Sequence, residues 1–217
     1  MSIYKLISTV INGVIVNNSF NSSGVKKGSG KTSIEKRLIS DFNTIKVNGS
    51  MNIIYEKSDA PNLSIEADDN ILDIITTVVK NGTLYICSKD SFSTQNKIKI
   101  KCSSNLIESV TLSGSGNIIL NDIEESELTL TVNGSGDIEA NGFCTKLTSS
   151  ISGSGDIDAE ELIAQHVLVN VAGSGDAVVT AKQSVMASVA GSGDIKVKGK
   201  PKTQHVSESG SGRVKIK

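Results

Sequence analysis

Between residues 106 and 217 apolar and polar residues alternate with a period of two, the pattern of a strand with one buried face. The alternation runs through SVTLSGSGNIIL (109–120), TLTVNGSGDIEA (129–140), SSISGSGDIDA (149–159), VNVAGSGDAVV (169–179), ASVAGSGDIKV (187–197) and VSESGSGRVKI (206–216). Each stretch is cut by the same corner: Gly114-Ser115-Gly116, Gly134-Ser135-Gly136, Gly153-Ser154-Gly155, Gly173-Ser174-Gly175, Gly191-Ser192-Gly193 and Gly210-Ser211-Gly212. The intervals are 20, 19, 20, 18 and 19 residues. Two residues before the first glycine stand Leu112, Val132, Ile151, Val171 and Val189, and six after it Leu120, Ala140, Ala159, Val179, Val197 and Ile216. Each unit therefore reads as strand, corner, strand and short return, with no period-3.6 stretch to form a crossover helix.

A unit of this length cannot bury its apolar side alone, but stacked in parallel on its copies it can. The predicted fold is all-β: a parallel β-helix of about 19-residue coils with Gly-Ser-Gly corners. Glycine suits the corner because a sharp turn needs positive φ, and because coils about 4.8 Å apart leave little room for a side chain. The serines are placed to hydrogen-bond along the stack. Asn117, Asp137, Asp156, Asp176 and Asp194 follow the corners and can accept a backbone N–H, as in an Asx-turn. The last coil departs from the pattern: Glu208 takes an inward apolar position and Arg213 replaces the aspartate, as a terminal repeat facing water requires.

Residues 34–105 also read as strands. NTIKVNGSMNIIYEK turns at Asn48-Gly49, while APNLSIEAD, NGTLYICS and NKIKIKCS carry further strands. NILDIITTVVKNG (70–82) fits either a helical turn or a strand. The expected organisation is an N-terminal extension over 1–33 and one β-helix over 34–217, with irregular coils at 34–105 and regular repeats at 106–217.

Three elements in this order resemble a known family of bacterial proteins, the putative auto-transporter adhesin, head GIN domain family. They are EKRLISDFNTIKVNGSMNIIY (35–55), NGTLYI (81–86) and the Gly-Ser-Gly-Asp/Asn-Ile repeats from 114 to 214. The resemblance covers about 34–217. It implies a right-handed parallel β-helix and an adhesive or cell-envelope role, and brings no catalytic residues with it.

Net charge is −1, from 22 Lys+Arg against 23 Asp+Glu, so no overall field attracts nucleic acid or an anionic membrane. The opening MSIYKLISTVINGVIVNNSF is interrupted at Asn12-Gly13 and lacks an A-x-A cleavage site. It reads as a poor secretory signal, too short and polar for a membrane span. The resemblance thus points to the envelope or surface, and the leader to the cytoplasm as the alternative. STVINGVIVNNSF (8–20) reads as an extra strand or a docking tail. Cys87, Cys102 and Cys144 lack CxxC spacing and are expected as buried free thiols; His166 and His205 stand apart. GSGKTS (28–33) resembles the end of a phosphate loop, but the full pattern needs glycine where Val25 stands, so a simple turn is expected and no nucleotide or other cofactor.

Two further readings concern charge. Asp137, Asp156, Asp176 and Asp194 should line one edge about 4.8 Å apart, where neighbouring carboxylates repel by about 0.9 kcal/mol before screening. A turn role is expected, with a calcium-bridged ladder as the lesser alternative. Residues 121–161 carry ten acids and one base, Lys146, whereas 196–217 carry seven bases against Glu208. The basic C-terminal end is therefore a candidate to dock on the acidic middle coils of another copy or a partner. The expected function is a non-catalytic binding or structural module for a protein or surface glycan. A carbohydrate-active β-helix using Glu139 and Asp158, or a cytoplasmic scaffold, are the alternatives.

Overall fold

The computed structural model describes residues 25–217 and the backbone of two short strands, β1 (Thr9–Ile11) and β2 (Val14–Val16), which pair antiparallel. The readings of 1–20 as a poor leader and of 8–20 as a docking tail fall otherwise outside the described residues. The next strands are β3 (Lys26–Lys27), β4 (Thr32–Arg37), β5 (Thr44–Gly49), β6 (Asn52–Lys57) and β7 (Asn62–Asp68). A single 3₁₀ turn, Leu72–Ile74, leads to β8 (Ile75–Lys80), so the ambiguous 70–82 segment is both turn and strand. Then come β9 (Thr83–Ser88), β10 (Phe92–Ser93), β11 (Lys99–Ser104) and β12 (Ser109–Gly114). Long strands follow, β13 (Asn117–Gly134), β14 (Asp137–Gly153), β15 (Ile157–Gly173) and β16 (Ala177–Gly191), before β17 (Ile195–Lys198), β18 (Thr203–Gly210) and β19 (Val214–Ile216).

The strands wind as stacked parallel coils of a β-solenoid, with about five turns between Gly114 and Gly210. Gly114 pairs with Gly134, then Gly153, Gly173, Gly191 and Gly210, and the residues leading into each corner meet their counterparts in register. The long strands bend where their register shifts, between Leu120 and Ile123 and again between Glu139 and Gly142. Asp122 (φ 55) and Gly142 (φ 117) adopt left-handed conformations there, marking a second corner in the return. Val110, Leu130, Val169 and Ala187 form one buried row, and Ile118, Ile138, Ile157, Ala177 and Ile195 another. Ser149 falls in the first row with its hydroxyl buried and unbonded.

Stack order and chain order differ at the N-terminal end. β5 and β6 pair in parallel with β12 and β13, so 44–57 is a true coil. The next segment then folds back outside it: β9 pairs with β5 and β11 with β6, forming an outermost coil that comes later in the chain. Antiparallel partners finish this end, β8 on β9, and β7 on β11 with β4 beyond it. Such cover protects an edge that would otherwise present unpaired N–H and C=O groups. Phe42, Met51 and Tyr55, the large buried side chains, gather here. Burial raises the Cys102 thiol to about 12 and Cys144 to about 11, while Cys87 is only half-buried.

Candidate functional site

The corner edge is built mainly from main chain. A Cβ added at any of the twelve glycines from Gly114 to Gly212 in the six corners would lie 1.9–2.5 Å from a carbonyl oxygen of the preceding coil. The first glycine of each triplet also has positive φ, between 108° and 143°. The second does not, so it is required by proximity alone. The serine N–H donates to the preceding corner's glycine carbonyl, as from Ser154 to Gly134 at 2.8 Å. Among the described residues the corner serine hydroxyls form no bond along the stack, so the expected side-chain role is taken by backbone.

The aspartates bond between coils. Asp137 Oδ1 accepts the Asp156 N–H at 3.0 Å, Asp156 that of Asp176 at 2.7 Å, and Asp176 that of Asp194 at 2.7 Å. Asp194 accepts the Arg213 N–H at 2.9 Å. A local Asx-turn was expected; instead each carboxylate reaches one coil onward and holds the next corner. Each bond to an amide offsets the repulsion between neighbours. Arg213 ends the row and turns its guanidinium onto the Ser211 and Gly212 carbonyls. Glu208 likewise leaves the core and accepts the Val214 N–H at 2.6 Å across the final turn.

Charge is distributed by face. Before each corner, the outward residues run Ser109, Thr129, Thr148, Leu168, Met186, His205 in one row. The next rows run Thr111, Thr131, Ser150, Asn170, Ser188, Ser207 and Ser113, Asn133, Ser152, Ala172, Ala190, Ser209. None is acidic, Lys or Arg. With Thr44, Lys46 and Asn48 of β5 and Thr83, Tyr85 and Cys87 of β9, eight strands present one sheet face that carries Lys46 as its formal charge, and β8 adds Lys80 beside Thr83 at its outer end. It measures about 34 Å along the stack and 13 Å across. The face after the corner is the charged one. Glu139 and Asp158 are exposed on adjacent strands there, with Val178 and then Lys196 next in the row. Glu160 pairs with Lys198, and with Lys196 at 3.8 Å, and the Lys198 bond holds its carboxyl below the ordinary range. Part of the charge difference between the middle coils and the C-terminal end is thus neutralised within one chain.

GSGKTS sits against acid. The Ser29 hydroxyl donates to Asp69 at 2.6 Å, its N–H donates to Asn70 Oδ1 at 2.9 Å, and Lys31 lies 3.9 Å from Asp69. A phosphate there would meet carboxylates, so the segment serves as a turn docked on β7's end. Nearby, buried Asp68 accepts the Thr94 hydroxyl at 2.7 Å and the Asn96 amide at 2.6 Å, and these bonds hold its pKa below the usual value.

Two features escaped the sequence reading. Gly49-Ser50-Met51-Asn52-Ile53 is a further corner: Gly49 pairs with Gly114, and the Asn52 side chain accepts the Asn117 N–H at 3.2 Å. The signal was the shared Gly-Ser-x-Asn-Ile, hidden by Met51 in place of glycine. The uncharged face was also readable, as the outward positions one, three and five residues before each first glycine.

A family model described as putative auto-transporter adhesin, head GIN domain, matches residues 41–201. No curated protein sequence matches the chain. A solved putative adhesin from Bacteroides fragilis is similar at 27% identity and TM-score 0.73, covering 88% of this chain and 99% of that one. A putative lipid binding protein from Parabacteroides distasonis is similar at 28% identity and TM-score 0.61, covering 89% and 100%. A putative adhesin from the same species is similar at 26% identity and TM-score 0.52, again over 89% and 100%. Among the described residues no helix is long and apolar enough to cross a membrane. The chain belongs to the family described as putative auto-transporter adhesin, head GIN domain.

Proposed function

We propose that this protein is a non-catalytic, adhesin-like module of the cell envelope that binds through the uncharged sheet face before the corners. The observation that carries the reading is the segregation of charge: the three outward rows from β12 to β18 hold Ser, Thr, Asn and Ala with Leu168, Met186 and His205, and no Asp, Glu, Lys or Arg, while most carboxylates and lysines of these coils occupy the face beyond the corner. Hydroxyls and amides can donate and accept, and can give up water at lower cost than ions can. Repetition at one strand spacing lets an extended protein or glycan make many weak, equivalent contacts, which sum through multivalency. The putative adhesins and the lipid binding protein among the similar structures fit a surface-binding role.

The test is retention of the purified full chain on mucin, collagen and phosphatidylethanolamine vesicles at physiological salt. Retention on at least one surface, persisting at raised salt as an uncharged contact should, is expected. No retention on any would contradict the reading. Release of reducing ends from a polysaccharide panel would contradict its non-catalytic part.

A further inference from the structure

The Gly-Ser corner, present in the coils from Gly49-Ser50 to Gly210-Ser211, is missing from the outermost one. Between β9 and β11 the chain takes the whole segment 89–98, with the short strand β10 in it, to go round. That detour explains Met51. No tight corner lies under it, so the position tolerates a side chain, whereas Gly116 in the next coil would meet the Met51 carbonyl. The detour also leaves a cleft between its inner wall and two successive corners. Ser50, Asn52, Ser115 and Asn117 form the floor, and the 92–98 segment forms the wall.

The lining is chemically specific. Half-buried Phe92 packs against the core at one side, and Gln95 and Asn117 contribute side-chain amides that bond to nothing else among the described residues. Ser50 and Ser115 add hydroxyls, and Lys97 is the one charged group. The wall is held in place before any ligand arrives. Asp68 fixes Thr94 and Asn96 from behind, the Gly28 N–H donates to Ser93 at 2.7 Å, and the Asn52 N–H donates to Ile98 at 3.0 Å. Such preorganisation lowers the entropic cost of binding. One cation is too few for a phosphate site and the polar lining is wrong for a lipid tail. Hydroxyls and amides beside one aromatic side chain match the equatorial hydroxyls and apolar C–H face of a sugar ring.

We infer that this cleft is a binding site for a neutral saccharide, distinct from the uncharged sheet face. The experiment is saturation-transfer NMR on the full chain with methyl β-glycosides of glucose, galactose and N-acetylglucosamine and their β-linked trisaccharides. Transfer to ring protons of at least one sugar is expected. It should fall at least fivefold in Phe92→Ala and in Asn117→Ala. Ser115→Arg, an exposed change that fills the cleft without touching the core, should abolish it with the thermal melt unchanged. Glu139→Gln, on the charged face, should leave it intact. Absence of transfer from every sugar would overturn the proposal. So would transfer that Ser115→Arg leaves unaltered, or binding of inorganic phosphate in place of the sugars. Because none of these changes alters the uncharged face, surface retention should survive them, which separates failure of this site from failure of the broader reading.

Discussion

From residue 109 onward, neighbouring coils are joined mainly by main chain and by side chains of a few atoms, with the Glu160 pairs to Lys196 and Lys198 as an exception. Glycine carbonyls accept serine N–H groups, aspartates accept the next corner's N–H, and small aliphatic rows stack in register. From 25 to 104 the work passes to large or charged side chains with individual partners. Arg37 donates to the Leu72 carbonyl at 2.9 Å, to the Ile75 carbonyl at 2.6 Å and to Glu35. Buried Tyr55 donates to the Ser104 carbonyl at 3.0 Å, and Lys57 pairs at 3.3 Å with Glu125, which reaches the Ile107 N–H. The difference teaches why one half repeats and the other does not. A coil in the middle meets copies of itself above and below, so one solution serves every turn. The end coil meets water on one side and must be closed by chemistry used only once.

The comparison breaks most sharply at glycine. Gly155→Ala should cost about 3 kcal/mol or more, because the new methyl meets the Gly136 carbonyl and neighbouring coils cannot move apart independently. Gly30→Ala, in the triplet of GSGKTS, should cost only about 1 kcal/mol: its φ is 79°, but no atom lies within 4 Å of the added Cβ. Urea titration of both variants measures the contrast, and equal losses would refute it.

Arg37→Ala should cost about 2 kcal/mol by stripping charge-assisted bonds from the 3₁₀ turn and β8. Hydrogen exchange should then rise in 72–80 and remain slow in the coils beyond Gly134. Uniform acceleration would show that end and coils unfold as one unit.

Acid should weaken the N-terminal end through Asp68. Asp68 has a folded pKa below its ordinary value of 3.8, chiefly through the Asn96 and Thr94 bonds. Its contribution is therefore complete above that value and is lost as pH falls through the lower folded value. Asp68→Asn should flatten the fall in melting temperature between about pH 4 and pH 2. An unchanged profile would remove Asp68 from the account. The smallest effect should be a gain. Ser149→Ala removes a buried hydroxyl without a partner, and should stabilise the coils by about 1 kcal/mol.

This division also governs what could be read from the sequence. The coils were legible because each inward Val or Ile and each glycine pair is a consequence of parallel stacking, and the same consequence appears six times. The end coil was not. The return of β9 and β11 beneath β5 and β6 depends on partners such as Arg37 and Leu72, 35 residues apart, that occur once and set up no period. Even inside the repeats, spacing revealed that aspartate follows the corner but not which N–H it takes. A bond within the turn and a bond to the next coil need the same residue in the same place. The uncharged face lay in plain view, yet positions without chemistry draw attention only once the register shows that they lie side by side.

The central functional claim is that binding belongs to that face and not to the charged one beyond the corner. The most direct measurement compares two full-length variants on whichever of mucin, collagen or vesicles retains the wild type. Thr131→Glu with Ser150→Glu places two adjacent charges in the middle of the uncharged face, where Thr131 and Ser150 pair in register. Glu139→Gln with Asp158→Asn removes two from the opposite side of the corner. The account predicts at least a tenfold loss of retention in the first variant and no change in the second, with both melting as the wild type does. Retention kept by the first and lost by the second would contradict it.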